Sequence, residues 1–441
     1  MKYVYSVLFF VLTLSLNAQH TISGTFSPAK PIKWVVAYRI VPGSQVYIAD
    51  SKVDNGTFTL NIKADATPGM YRLTYGAPQE DYYFDIVYSG KEDIDLNYDL
   101  EQGLSFNSSQ ENIIFSNYFN EISKCEQEIA NFYSTKKGKK SEFLELIASL
   151  KEIQENYESK SKNLYCHTFI TANTPYIPKK YEDAATYITN KKEQYFTALD
   201  FGNSTLQSSD FLIEKAANYI LTALPLKQLN PAELDAEMQT NIDTLTKHLK
   251  NKNPKFSTHL LNMIWGYLTD NNLNNTADYL YATYLKPIAS ALGYTKITTK
   301  IETYNRVRIG AKAPEITWTD NGKTKKLSEL PKAEQYVVVF WSSTCSHCLK
   351  EVPQLHKELK KYSNVKVLAV GLEDDDVNWK KESAKLPAFT HALALEKWDN
   401  KYVSIYDIHQ TPTYFILNSN KEIIAKPEND MEVISFLKGE N

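Results

Sequence analysis

Cysteine is scarce, four residues in a chain of 441, which is too few for a fold stapled by disulfides. An excess of one charge is lacking too: 49 Lys and Arg stand against 52 Asp and Glu, a formal net charge of −3. No footprint for nucleic acid or for an anionic membrane follows from that balance. Long apolar runs are confined to the start, where Lys2 precedes Val4 to Leu16 and the small-residue end Asn17-Ala18. That run is too short to span a bilayer and reads as a secretory leader, residues 1–18, cut after Ala18 with no Cys there to carry a lipid. The expected place of work is therefore beyond the inner membrane, in the periplasm, without direct membrane insertion. No second CxxC and no His-rich pair exists to complete a four-ligand structural zinc site. Leu349, rather than His, follows the second Cys of the one CxxC, which excludes a c-type haem. No cofactor is expected.

What is present is Cys345-Ser346-His347-Cys348. It follows an apolar, β-rich run, Tyr336-Val337-Val338-Val339-Phe340, and opens a helical pattern through Glu351, Val352, Pro353 and Leu355. A CxxC at a strand-to-helix junction is the signature of dithiol redox chemistry. The spacing puts the sulfurs one turn apart, within reach of a disulfide. Cys345 sits where unpaired amides and the helix dipole stabilise a thiolate, and it is the expected nucleophile.

This stretch resembles the periplasmic thioredoxin-like reductases related to TlpA and ResA. Phe340-Trp341, Cys345, Cys348, Glu351 and Pro353 match their strand, CxxC, Glu and Pro pattern. Gly310, Ala313 and Pro314 precede a hairpin signal, Asp320-Asn321-Gly322-Lys323, and Thr411-Pro412-Thr413 matches the segment that carries the fold's cis-proline. The resemblance covers residues 305–441 and implies an α/β thioredoxin-like fold. It also implies that Pro412 bends the chain toward the sulfurs, so that the Thr411 backbone can pair with an extended substrate.

Departures from that pattern bear on mechanism. His347 stands where thioredoxin and the ResA relatives carry Pro, an arrangement seen in the oxidant DsbA. An imidazole beside the Cys345 thiolate would stabilise the reduced form and raise the potential. Thioredoxin's buried Asp two residues before the Trp is Val339 here. The ResA-like enzymes use instead a carboxylate at the end of the next strand, which makes Glu373 or Asp374 the candidate base for Cys348. The competing reading of that acidic run is a solvated turn capping a helix near Val377. His356, His391 and His409 show no metal-ligand spacing, and His356 reads as part of a solvated helix face.

Ahead of this module the chain predicts two further regions, giving a multidomain protein. Residues 19–104 read as a small all-β sandwich of short strands at hairpin spacing: 21–26, 34–38, 47–53, 57–62, 70–75, 82–88 and 93–98. This part resembles a domain of unknown function often found ahead of thioredoxin modules in secreted bacterial proteins, with Gly56-Thr57-Phe58 as its most recognisable element. Residues 105–294 read as helices over 109–132, 141–171, 211–224, 231–249, 256–268 and 276–285, with a basic turn Lys136-Lys137-Gly138-Lys139-Lys140. A hairpin there sets Cys125 opposite residue 151 and Cys166 about 20 Å further along the helix. Both are read as packed thiols.

The function this predicts is a secreted thiol:disulfide oxidoreductase, acting as a reductase on disulfide-bearing proteins and re-reduced by a membrane thiol donor. One rival is an oxidase or isomerase of DsbA-like poise. A peroxide-reducing enzyme would need Pro seven residues and Thr or Ser three residues before its Cys; Ser342 fits and Val338 does not, and no Arg follows Arg308. The last rival is an interaction protein in which the redox domain is accessory.

Overall fold

The structure, a computed structural model, describes residues 20–28, 32–135 and 138–440. The leader and Lys136-Lys137 of the basic turn lie outside the described residues. The chain divides into two compact units, residues 1–292 and 293–441.

Among the described residues the first unit begins with eight strands: β1 His20–Ser27, β2 Trp34–Val41, β3 Ser44–Lys52, β4 Thr57–Ile62, β5 Gly69–Thr74, β6 Tyr83–Tyr88, β7 Ile94–Asp99 and β8 Gly103–Ser108. Seven are predicted by the patterning. β8 is the addition, built on Leu104 and Phe106 and paired antiparallel to β7. Two four-stranded sheets result, ordered β4-β1-β7-β8 and β3-β2-β5-β6. Alternating residues of both sheets, among them Ile22, Leu60 and Leu96 with Val35, Leu73 and Ile86, form one core. That is the period of two expected of a sandwich.

Helices α1 Gln110–Thr135, α2 Lys140–Ser161, α3 His167–Ala172, α4 Ala184–Gln194, α5 Ser204–Gln207, α6 Phe211–Thr222, α7 Pro231–Leu249, α8 Pro254–Asp270, α9 Asn274–Leu280 and α10 Lys286–Ala291 follow. Buried Asn112 ties α1 to β6, accepting the Val87 N–H at 2.7 Å and donating to the Val87 carbonyl at 2.8 Å. The single helix predicted over 141–171 is broken after Ser161. There the buried Glu111 carboxylate accepts the N–H groups of Tyr165 and Cys166 at 2.8 and 2.9 Å. A carboxylate on two free amides starts a new helix where periodicity alone would continue the old one.

The second unit opens with α11 Thr295–Val307 and the hairpin β9 Thr317–Asp320, β10 Lys323–Lys326. Asn321 (φ 50°) and Gly322 (φ 75°) form its two-residue turn, as that dipeptide predicts. Then come β11 Gln335–Trp341, α12 Ser346–Leu359, β12 Val365–Glu373, α13 Val377–Ser383, β13 Thr390–Leu395, α14 Lys401–Tyr406, β14 Thr413–Asn418, β15 Ile423–Ala425 and α15 Asp430–Lys438. The sheet order is β13-β12-β11-β14-β15, with β11, β12 and β13 parallel and β14 and β15 antiparallel. β11 is buried on both faces, which explains its unbroken apolar run. Val338 and Phe340 enter a core with Leu368, Tyr406 and Phe415; Val337, Val339 and Trp341 enter a second with Val352, Leu355 and Ile434. The chain is thus multidomain: sheets first, helices in the middle, and a thioredoxin-like α/β domain at the C-terminus.

Among the described residues, no helix is long and apolar enough to cross a membrane.

Candidate active site

The central strand β11 ends at Trp341, and Ser342-Ser343-Thr344 turn the chain into α12. Cys345 is the residue that caps this helix, with extended backbone (φ −92°, ψ 120°). Its N–H donates to the Ser342 carbonyl at 3.1 Å, and its Sγ accepts the N–H of Cys348 at 3.3 Å. A serine at a cap offers an oxygen to the same amide; here a sulfur takes that place. The Cys345 thiol also donates to the carbonyl of Thr411 at 3.3 Å. Thr411-Pro412, just before β14, is a cis peptide.

The two thiols are treated oppositely. Burial alone would push the half-buried Cys345 thiol up, but the Cys348 thiol and N–H, the Thr411 contact and the His347 backbone N–H outweigh it and hold Cys345 below the ordinary thiol range. Burial dominates at Cys348, which is fully enclosed with Val352 and Trp341, and the neighbouring Cys345 sulfur pushes it further up. Both are free thiols here.

His347 contributes to that balance through its backbone amide, and its imidazole is exposed. The acidic run 373–376 divides into separate roles. Glu373, 3 % exposed, points inward and accepts the N–H of Ser343 and the hydroxyl of Ser342, the latter at 3.3 Å. Asp374 is at the surface, 3.4 Å from Lys397 Nζ. Asp375, just ahead of α13, accepts the Val377 N–H at 2.9 Å, and Asp376 pairs with Lys380. Of the two candidate bases, then, the buried one is Glu373, bonded to the turn that carries Cys345.

Glu351 and Pro353 both lie in the second turn of α12, where the Tyr414 hydroxyl donates to Glu351 at 3.2 Å and fastens the helix to β14. His356 corrects its sequence reading: it is 6 % exposed, packs edge-on against Phe389 and accepts the Ala388 N–H at 3.3 Å. The helix covers the sheet more widely than its polar sequence suggests. Ser342, Ser343, Lys397 and Trp398, which surround the Cys345 turn, have no signature in the sequence, because only the parallel crossovers bring 342, 373 and 397 together. Among the described residues, no group of three or more His, Cys, Asp or Glu converges to hold a metal ion.

Known proteins align with this part of the chain. The AhpC/TSA family model matches residues 309–426. The thiol-disulfide oxidoreductase ResA of Bacillus cereus is 26% identical over 141 residues, 32% of this chain and 80% of that protein. ResA of Bacillus subtilis is 26% identical over 140 residues, 30% of this chain and 75% of its own length. A solved thioredoxin domain of a Bacteroides vulgatus thiol-disulfide oxidoreductase is 25% identical over 30% of this chain and 97% of that one, with a TM-score of 0.27. The chain therefore carries, at its C-terminal end, a thioredoxin-like domain of the AhpC/TSA family and is a relative of the ResA-type thiol-disulfide oxidoreductases.

Proposed function

We propose that the chain is a thiol:disulfide oxidoreductase that reduces disulfides of protein substrates beyond the inner membrane, with residues 305–441 as its redox module and 19–104 and 105–294 as two separate regions ahead of it. The observation that carries this reading is the split between Cys345, accessible and held below the ordinary thiol range, and Cys348, enclosed and pushed above it. The Cys345 thiolate attacks one sulfur of a substrate disulfide; that S–S bond breaks, and the other substrate sulfur leaves as a thiolate that takes a proton. The Cys348 thiol then loses its proton, with Glu373 as the buried base through the 342–343 turn, and attacks Cys345 Sγ. The mixed disulfide breaks and the second substrate thiol is released. Two electrons pass to the substrate, and the Cys345-Cys348 disulfide awaits a thiol donor, which a membrane protein would supply.

The lowered Cys345 favours a second reading, an oxidase, because a stabilised thiolate stabilises the dithiol form. The exposed His347 ring weighs against it. Equilibration with glutathione separates the two: a potential below about −200 mV supports the reductase, and one near −120 mV, the DsbA value, the oxidase. A Cys348→Ser chain should accumulate mixed disulfides through Cys345. If no adduct forms with any disulfide protein, the proposed function is wrong.

A further inference from the structure

Beside Cys345 the chain adopts an unusual backbone. β13 ends at Leu395, and the next two residues, Glu396 (φ 72°) and Lys397 (φ 42°), are both left-handed although neither is glycine. Such residues cost on the order of 1 kcal/mol or more each and persist where the surroundings enforce them, most often at working sites. Asn400 holds the far side of the turn, donating to the Leu395 carbonyl at 2.7 Å while it accepts the Tyr402 N–H at 2.9 Å. Lys397 and Trp398, together with Ser342, Thr344, Cys345, Leu372 and Thr411, line a cavity of about 160 Å³.

Several polar groups of this cavity already have partners, the Ser342 hydroxyl through Thr344 and Glu373 among them. Lys397 Nζ donates to Thr344 Oγ1 at 3.3 Å and to Asp374 at 3.4 Å, and the Thr411 carbonyl accepts the Cys345 thiol. The large exposed surface on the cavity's wall is the Trp398 ring, 46 % exposed, above the apolar floor at Leu372. An apolar occupant would gain by burying this surface while Lys397, Ser342 and the Thr411 carbonyl keep the partners they have. A cavity of about 150 Å³ accepts a molecule of the size of benzene, so the volume fits one ring or branched aliphatic side chain. Because the attacking sulfur is itself part of the wall, the occupant must lie within a residue or so of the half-cystine under attack.

We propose that this cavity is a subsite for an apolar, ring-sized side chain flanking the substrate's half-cystine, and that Trp398 determines specificity for it. The proposal rests on Cys345 as the nucleophile. Single-turnover reduction by the full reduced chain, measured on two disulfide-linked peptides that differ only in Phe or Ser beside the half-cystine, tests it. Wild type should prefer the Phe peptide by at least about tenfold, the discrimination an apolar pocket supplies. Trp398→Ala should collapse that preference and Trp398→Phe should keep most of it, each read as the ratio of the two peptides' rates in the same variant. No preference in wild type, or one that survives Trp398→Ala, overturns the subsite. So does a shift in the pH dependence of Cys345 alkylation in Trp398→Ala, since Trp398 would then be shaping the sulfur rather than the substrate. Failure of the wild type to reduce even glutathione disulfide would instead overturn the oxidoreductase reading.

Discussion

The helical region and the C-terminal domain each hold a pair of thiols, and the two pairs differ in one respect that matters. Cys125 lies in the α1-α2 interface with its thiol toward the Leu146 carbonyl at 3.6 Å, and burial raises it. Cys166 is fully buried, and burial, with buried Glu111 alongside, pushes it far up. Cys348 is raised in the same way. Cys345 is also penalised by burial, yet it alone of the four ends up lowered, because it stands at a helix start where N–H groups converge on its sulfur. A thiol's residue type and burial do not make it reactive; donors aimed at the sulfur do.

Serine substitution breaks that contrast most sharply. Cys345→Ser should reduce disulfide exchange to the uncatalysed background, whereas Cys125→Ser and Cys166→Ser should leave the rate within about twofold in a turnover assay with a model disulfide. On the native reduced protein, alkylation of Cys345 should rise with pH and level off below the free-thiol value of about 8.5, since a lowered pKa makes thiolate available at lower pH. Cys125, Cys166 and Cys348 should label only after denaturation.

The acidic run allows a finer cut within the active domain. Glu373→Gln should slow resolution of the mixed disulfide by about 10²-fold or more if the buried carboxylate is the base, and Asp374→Asn should not. Quenched-flow analysis of the mixed disulfide gives the rate, and equal effects of the two would remove the distinction between them.

Packing can be compared across the two units by adding one methyl group to each. A Cβ at Gly371 in β12 would lie 2.4 Å from the Trp379 ring, and one at Gly24 in β1 would lie 2.6 Å from Phe58 and 2.8 Å from Leu96. Each substitution to Ala should lower stability by about 1–3 kcal/mol, seen as a lower denaturant midpoint. Only Gly371→Ala should also change Cys345 reactivity, because β12 carries Glu373.

The smallest effect is expected at His347. His347→Pro removes the backbone N–H directed at Cys345, so the thiolate loses support and the potential should fall by on the order of 30 mV, which corresponds to about 1.4 kcal/mol for this couple. His347→Gln keeps the N–H and should leave the potential unchanged. A fall in both variants would mean that the ring, despite its exposure, carries the charge effect.

Local sequence determined a good deal of this protein. The unbroken apolar run of β11, the CxxC at its end, the Asn321-Gly322 hairpin and the strand alternation before residue 100 are all short-range patterns, and each appears where those patterns place it. The break between α2 and α3 escaped the pattern because Glu111, some fifty residues earlier, supplies the acceptor. The burial of His356 escaped it because Phe389 and Ala388 arrive from beyond β12. At the site, residue type marked out Cys345 and Cys348, while the tertiary structure alone separated Glu373 from Asp374 and brought Lys397 and Trp398 to the sulfur. The physical reason is direction. A sequence states which groups are present, but which way a side chain points at the end of a strand depends on the register of its neighbours, and here β11, β12 and β13 take that register from one another.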